Sequence, residues 1–232
     1  MAKRKRRFRK SSLWLLAMFL VGSGLVLLGL TQRSSITRMG ETALRRMTVE
    51  SVQQAKRTAQ GKTAPFNYQK TVQLTPLTVG GYGLRELVGN SGYDGAVGQL
   101  RVPAVGLDLP IGVGVSNAVL VRGAGTLKAD QQMGQGNYAL AGHYMTAKRL
   151  LFSPLKGVRR GDQIYLTDKR RTYRYQVTRI QVVDRHQIEV IDDVPGQRLV
   201  TLVTCASARR GEPKRLVVRG ELQAVKRVVT RG

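Results

Sequence analysis

The second half of the chain is a succession of short apolar runs cut by turn residues, and that texture leaves few folds open. Leu100 to Val102, Leu107 to Val113, Asn137 to Ala141, Gln163 to Thr167, Thr172 to Asp184, Arg198 to Thr204 and Arg215 to Val225 each read as a strand. Tyr173, Tyr175 and Val177 alternate with polar residues, as in a strand with one buried face, and the rest of that segment predicts a bent or bulged continuation. Leu150 to Leu155 reads as a helical turn. Strands this short and apolar need partners on both edges, because an open sheet would leave unpaired backbone exposed. The pattern predicts a mostly β domain, a closed β-barrel of about eight strands with short helices.

The N-terminus has a different texture. Residues 3 to 10 carry seven positive charges and no acid, and an uncharged run from Leu13 to Leu30 follows. As a helix that run would be about 27 Å long, close to the thickness of a bilayer's hydrocarbon core. It has no convincing small-residue cleavage site after it. The expectation is a single-pass signal anchor in the cell membrane, with the basic N-terminus cytoplasmic and the remainder extracellular. The chain then divides into a basic tail (1–12), a transmembrane helix (13–30), a basic stalk (31–75) and a folded domain (76–232). Ile36, Met39, Ala43, Met47 and Val52 give the stalk a weak helical stripe, and a short helix is expected around Leu84 to Val88.

The net charge is +25, and +18 remains without the seven N-terminal charges. Nucleic acid is the usual inference from so basic a chain. Beside a membrane anchor it is the poorer one, and anionic wall polymers or lipid headgroups fit better. A general basic bias with no partner explains the charge equally well.

Cys205 is the only cysteine. It ends the apolar run Val200-Thr201-Leu202-Val203-Thr204 and has no disulfide partner within the chain. Taken alone, a cysteine at a strand end is a small buried hydrophobe. Two other residues change its meaning. His143 follows the apolar strand ending Leu140-Ala141-Gly142, and Arg215 opens the strand after Cys205. A thiolate is a nucleophile. An imidazole can protonate a leaving amine and deprotonate an incoming one. A guanidinium stabilises negative charge without surrendering its proton. Together they suit acyl transfer.

Thr201-Leu202-Val203-Thr204-Cys205 resembles the TLxTC signature of sortases, the membrane-anchored cysteine transpeptidases of Gram-positive bacteria. The order His143, Cys205, Arg215 matches, with 62 residues from the His to the Cys. The resemblance runs from about Gly98 to Leu222. Arg101 to Ile111, Gly123-Ala124-Gly125-Thr126 and Leu151-Phe152-Ser153-Pro154-Leu155 are similar to class A, or housekeeping, members. The Asp-Pro-aromatic plug of pilus-building members is missing between Thr31 and Gln99.

The resemblance implies cleavage of an LPxTG sorting signal on a secreted protein, between Thr and Gly. A thioester to Cys205 forms, and the amine of a peptidoglycan precursor (lipid II) cross-bridge resolves it. It assigns His143 as general acid then base, and Arg215 as the oxyanion and substrate partner. Ala141, Val203 and Val217, with Val190 and Ile191 from the preceding loop, are candidates for the groove that seats the signal, and simple barrel core explains them as well. Thr204 is a further contact candidate. Where calcium-activated members carry acids, this chain has Lys128, Gln131 and Gln135, which leaves Asp192, Asp193 and Asp130 nearby. No cofactor, no metal site and no calcium activation are expected.

Other signals carry less. Ser153-Pro154-Leu155-Lys156 fits S-x-x-K but lacks S-D-N and K-T-G companions. His186 sits in a polar stretch and reads as a loop residue. A non-catalytic, wall-binding basic module would explain the charge but not the register of His143, Cys205 and Arg215. A transpeptidase of the L,D type would need a His-Gly-Cys style motif, which Val203-Thr204-Cys205 lacks. A specialised sortase with a narrower clientele stays open.

Overall fold

The computed structural model describes residues 6–59, 81, 93–147 and 149–228, and only the backbone for residues 6–13 and 24–33. Eight strands close into a barrel: β1 (Gly98–Val102), β2 (Leu107–Gly112), β3 (Ala124–Thr126), β4 (Asn137–Ala141), β5 (Gln163–Thr167), β6 (Arg171–Asp184), β7 (Leu199–Cys205) and β8 (Lys214–Arg227). The order around the barrel is β1-β2-β3-β4-β7-β8-β6-β5, and β1 pairs with β5 to close it. Two neighbouring pairs, β2–β3 and β4–β7, are parallel; the rest are antiparallel.

Strand alternation sorts the side chains into two sets. Leu100, Ile111, Leu140, Ile164, Leu166, Tyr175, Val200, Leu202 and Val218 point inward and form the main core. Residues of opposite parity on β4, β7 and β8 face outward: Ala139, Ala141, Val203 and Val217 join a second apolar cluster on the wall. The long β6–β8 pair carries register shifts at Arg174/Tyr175 and Val177/Arg179, which is the bend its sequence foreshadowed.

Two elements had no strong sequence signal. β3 is only Ala-Gly-Thr, too short for an alternation to register. The four-residue helix α3 (Asn117–Leu120) is started by Ser116, whose hydroxyl accepts from Val119 N. The expected helical turn at Leu150 to Leu155 falls slightly later, as a 3-10 turn over Ser153–Gly157. The short helix expected around Leu84 to Val88 lies outside the described residues.

The transmembrane expectation is corrected. Leu13 to Leu30 belongs to one continuous helix, α1 (Arg6–Arg45). Among the described residues, no helix is long and apolar enough to cross a membrane. The anchor, the membrane as a partner through the N-terminal helix, and the single-pass localisation with an extracellular domain are all withdrawn with it.

The stripe beyond that run packs on the rest of the fold. Ile36 and Met39 of α1 are buried with Val121, Leu150 and Leu151. Gly40 lies so close to the barrel that a Cβ would stand 2.8 Å from the Arg122 carbonyl oxygen. Met47 and Val52 bury against Ala96, and Ala55 of α2 (Val49–Ala59) reaches the main core. Thr48 and Ser51 cap α2 reciprocally, each backbone N–H donating to the other's hydroxyl. Residues 60–75, the rest of the expected stalk, lie outside the described residues.

Candidate active site

Cys205 is the last residue of β7 and Arg215 the second of β8, and the antiparallel register sets them directly opposite each other. Both share the parity of the outward pair Val203 and Val217, so both face the apolar cluster on the barrel wall. His143 follows the end of β4, the parallel neighbour of β7, two residues beyond Ala141. The end of β4 is tied to β7 twice. Gly142 N donates to Val203 O at 3.2 Å. Thr204 Oγ1 donates to Gly142 O at 2.8 Å.

The opposite edge of the His143 segment is fixed by Phe152, whose N–H donates to His143 O at 3.0 Å. Its ring packs so tightly on Gly142 that a Cβ there would come within 2.5 Å. Ser153 Oγ accepts from Met145 N and donates to Met145 O. Leu151, at φ +50, bridges Tyr144 and is buried under α1. A non-glycine residue there costs about 1 kcal/mol or more, offset by the burial it permits.

All five apolar groove candidates fall in one place. Ala141, Val203, Val217 and Val190 are buried in the wall cluster, and Ile191 packs against it. Val190 and Ile191 arrive on a 3-10 turn, Ile188–Ile191, in the connection between β6 and β7. Thr204 differs from them. It has inward parity, is buried, and spends its hydroxyl on Gly142 O.

Sequence reasoning missed the fastenings of that turn. Asn137 Nδ2 donates to Asp192 O at 3.0 Å and Val190 O at 3.3 Å, and its Oδ1 accepts from Thr201 Oγ1 at 2.7 Å. Arg219 Nη2 donates to Val190 O at 2.7 Å. Asp193 Oδ1 accepts from Asn137 N at 2.7 Å and from Lys128 Nζ at 2.6 Å. Gly136, at φ +48, leaves room for that carboxylate, which a Cβ would meet at 2.7 Å. These contacts join residues 29 to 65 positions apart, and no local pattern announces them. Among the described residues, no cluster of three His, Cys, Asp or Glu could hold a metal ion.

The electrostatics keep the resting groups neutral. His143 Nε2 is sealed from solvent and has no hydrogen-bond partner among the described residues. Burial lowers its pKa to about 4. Burial also pushes the Cys205 thiol up; Arg215 pulls it down, and Glu212 adds to the upward push. A neutral thiol and a neutral imidazole are therefore the main forms near pH 7.

Comparison with known proteins agrees with this geometry. Residues 100–223 match the Sortase domain family. Sortase A of Listeria monocytogenes is 38% identical over 167 residues, 72% of each chain. Sortase A of Streptococcus agalactiae is 43% identical over 132 residues, 55% of this chain and 53% of that protein. The crystal structure of Listeria monocytogenes sortase A, 39% identical, superposes with a TM-score of 0.56 over 58% of this chain and 92% of that one. Sortase C-3 of Streptococcus pneumoniae, at 18% identity and a TM-score of 0.59, shares the fold. A barrel of this order, with the TLxTC strand and a family match over more than half its length, makes this chain a member of the sortase superfamily of cysteine transpeptidases.

Proposed function

We propose that this chain works as a class A sortase, cleaving LPxTG-type sorting signals between Thr and Gly and passing the acyl group to the amine of a peptidoglycan cross-bridge precursor. One observation carries the reading. Cys205 and Arg215 stand in register at the end of an apolar strip formed by Ala141, Val203, Val217 and Val190, with His143 on the adjoining strand end. The 38% and 43% identities to proteins named sortase A favour class A. So does the missing Asp-Pro-aromatic plug before the barrel.

In the proposed cycle the Leu and Pro of the signal lie on the apolar strip. Cys205 Sγ attacks the threonine carbonyl carbon, its proton passing to His143. Arg215 meets the negative charge that develops on the carbonyl oxygen. The C–N bond breaks as His143 returns the proton to the departing glycine amine, leaving a thioester. A second amine attacks the thioester carbon and gives its proton to His143. The C–S bond then breaks, and the thiol recovers that proton. Thr204 acts from behind, by fixing the Gly142 carbonyl next to His143.

The experiment is a quenched LPxTG peptide incubated with the full chain and an oligoglycine or alanine amine, beside Cys205→Ala. Formation of the transfer product, lost in the variant, supports the reading. A folded protein with a titratable thiol and no turnover on any LPxTG-type peptide overturns it.

A further inference from the structure

We propose that Glu212 is a positioning residue, whose carboxylate closes the β7–β8 connection and thereby holds Arg215 opposite Cys205. The proposal rests on the roles given above to Cys205 and Arg215.

The connection runs from Ala206 to Pro213 and carries the two reactive side chains at its two ends. An eight-residue surface loop would ordinarily leave them free to splay. Here it is closed from within. Ser207 Oγ donates a short hydrogen bond to Glu212 Oε2 and accepts from Arg209 N at 3.2 Å. Glu212 Oε1 accepts from Lys214 N at 3.0 Å. One carboxylate thus links the second residue after the thiol to the residue just before the guanidinium. Ala206 N donates to Lys214 O at 3.0 Å, which extends the ladder one step past the Cys205–Arg215 pair. Arg185 N donates to Pro213 O at 2.7 Å and fastens the outside of the loop to the end of β6.

The same residue holds the guanidinium through its backbone. Arg215 Nη1 donates to Glu212 O at 2.7 Å and to Lys214 O at 3.2 Å. Both Nη1 hydrogens are spent on the loop, and Nε and Nη2 make no hydrogen bond among the described residues. Those are the donors left for a reacting carbonyl. Since Arg215 is buried, its rotamer is fixed by these two carbonyls, and their position is fixed by the carboxylate clasp. The clasp is robust: hydrogen bonds from Ser207 and then from Lys214 N hold the Glu212 carboxyl below the usual carboxylate range. Its charge works against the thiolate while Arg215 works for it, so Glu212 is kept for geometry at some electrostatic cost.

The test separates those two effects in the full chain. Glu212→Gln removes the charge and keeps an acceptor for Lys214 N and a partner for Ser207. Glu212→Ala removes the clasp, and Ser207→Ala removes half of it. Two readouts are taken: kcat and KM on an LPxTG peptide, and the pH midpoint of Cys205 alkylation by iodoacetamide, which needs no substrate. Glu212→Gln is expected to keep kcat within about twofold and to move the midpoint to lower pH. Glu212→Ala is expected to lose about tenfold in kcat with KM nearly unchanged, and to titrate at higher pH than Glu212→Gln because Arg215 is released. Ser207→Ala should fall between them. Coincidence of the Gln and Ala variants in both readouts overturns the proposal. Absence of turnover in the parent protein would count against the transpeptidase reading alone, since alkylation still decides the role of Glu212.

Discussion

Lys128 reaches across 65 positions to place its ammonium 2.6 Å from Asp193, and with Asn137 it pins the turn that carries Val190 against the barrel wall. A fixed cation of the chain's own therefore occupies the acidic end of that connection. Removing it as Lys128→Ala is expected to loosen the turn and raise KM for an LPxTG peptide by about threefold, with kcat little changed. Calcium should leave both proteins unaffected. Titration with calcium chloride at constant ionic strength checks this, and stimulation of the parent protein would refute it.

Arg215→Lys tests the fork. A lysine keeps the charge but has three donors on one nitrogen, so two spent on the loop carbonyls leave one, where the guanidinium leaves three on its other nitrogens. Acyl transfer is expected to fall by about a hundredfold or more in kcat, while the melting temperature changes little. Cleavage assays beside a thermal melt separate the two.

The burial of His143 sets a pH signature. Its pKa is about 4 in the folded protein against 6.5 for an ordinary histidine. Between those values the unfolded chain binds a proton that the folded one does not. Stability is therefore full above pH 6.5 and declines as pH falls toward 4, by at most about 3 kcal/mol from this residue. The thiol acts at the other end. Its raised pKa means that the unfolded chain ionises first as pH climbs past the ordinary thiol value, which again favours unfolding. Urea denaturation at pH 4.5, 5.5 and 7, with and without His143→Gln, reads the acid limb.

Gly142→Ala inserts a methyl group 2.5 Å from the Phe152 ring, immediately before His143. Either the ring or the backbone must shift, at about 1–3 kcal/mol. A loss of several degrees in melting temperature, with at least a tenfold loss in kcat, is expected from the displaced imidazole.

Ile36→Asp probes the docking of α1. Ile36 is 2% exposed, and an unpaired carboxylate there would cost about 3 kcal/mol or detach the helix. Because Leu150 and Leu151 share that cluster and follow the His143 segment, hydrogen exchange over residues 143–152 should quicken.

Much of the barrel was legible because its strands alternate or run apolar over five or more residues. β4 and β5 have the bounds that the pattern implies, and β7 and β8 differ by one or two residues. β3 escaped because three small residues carry no periodicity. The His143, Cys205 and Arg215 positions were legible from one strand motif and chain order. Glu212, Asn137, Arg219 and the Lys128–Asp193 pair were not. They are polar residues whose meaning arises only when strands distant in sequence become neighbours. The stripe after Leu30 was weak for a related reason: a pattern is weighed in isolation, whereas Ile36 and Met39 acquire Val121, Leu150 and Leu151 as partners, and Val52 acquires Ala96, only in the fold.

The barrel closes through β1 and β5, yet its strands are unequal in length: β5 accompanies β6 only from Thr172 to Gln176, and from Arg179 to Asp184 β6 is laddered to β8 alone. Closure therefore shields one half of β6 and leaves the other half with a single neighbouring strand among the described residues. Any main-chain pairing with a guest strand would have to be found on that margin and not along the closed seam.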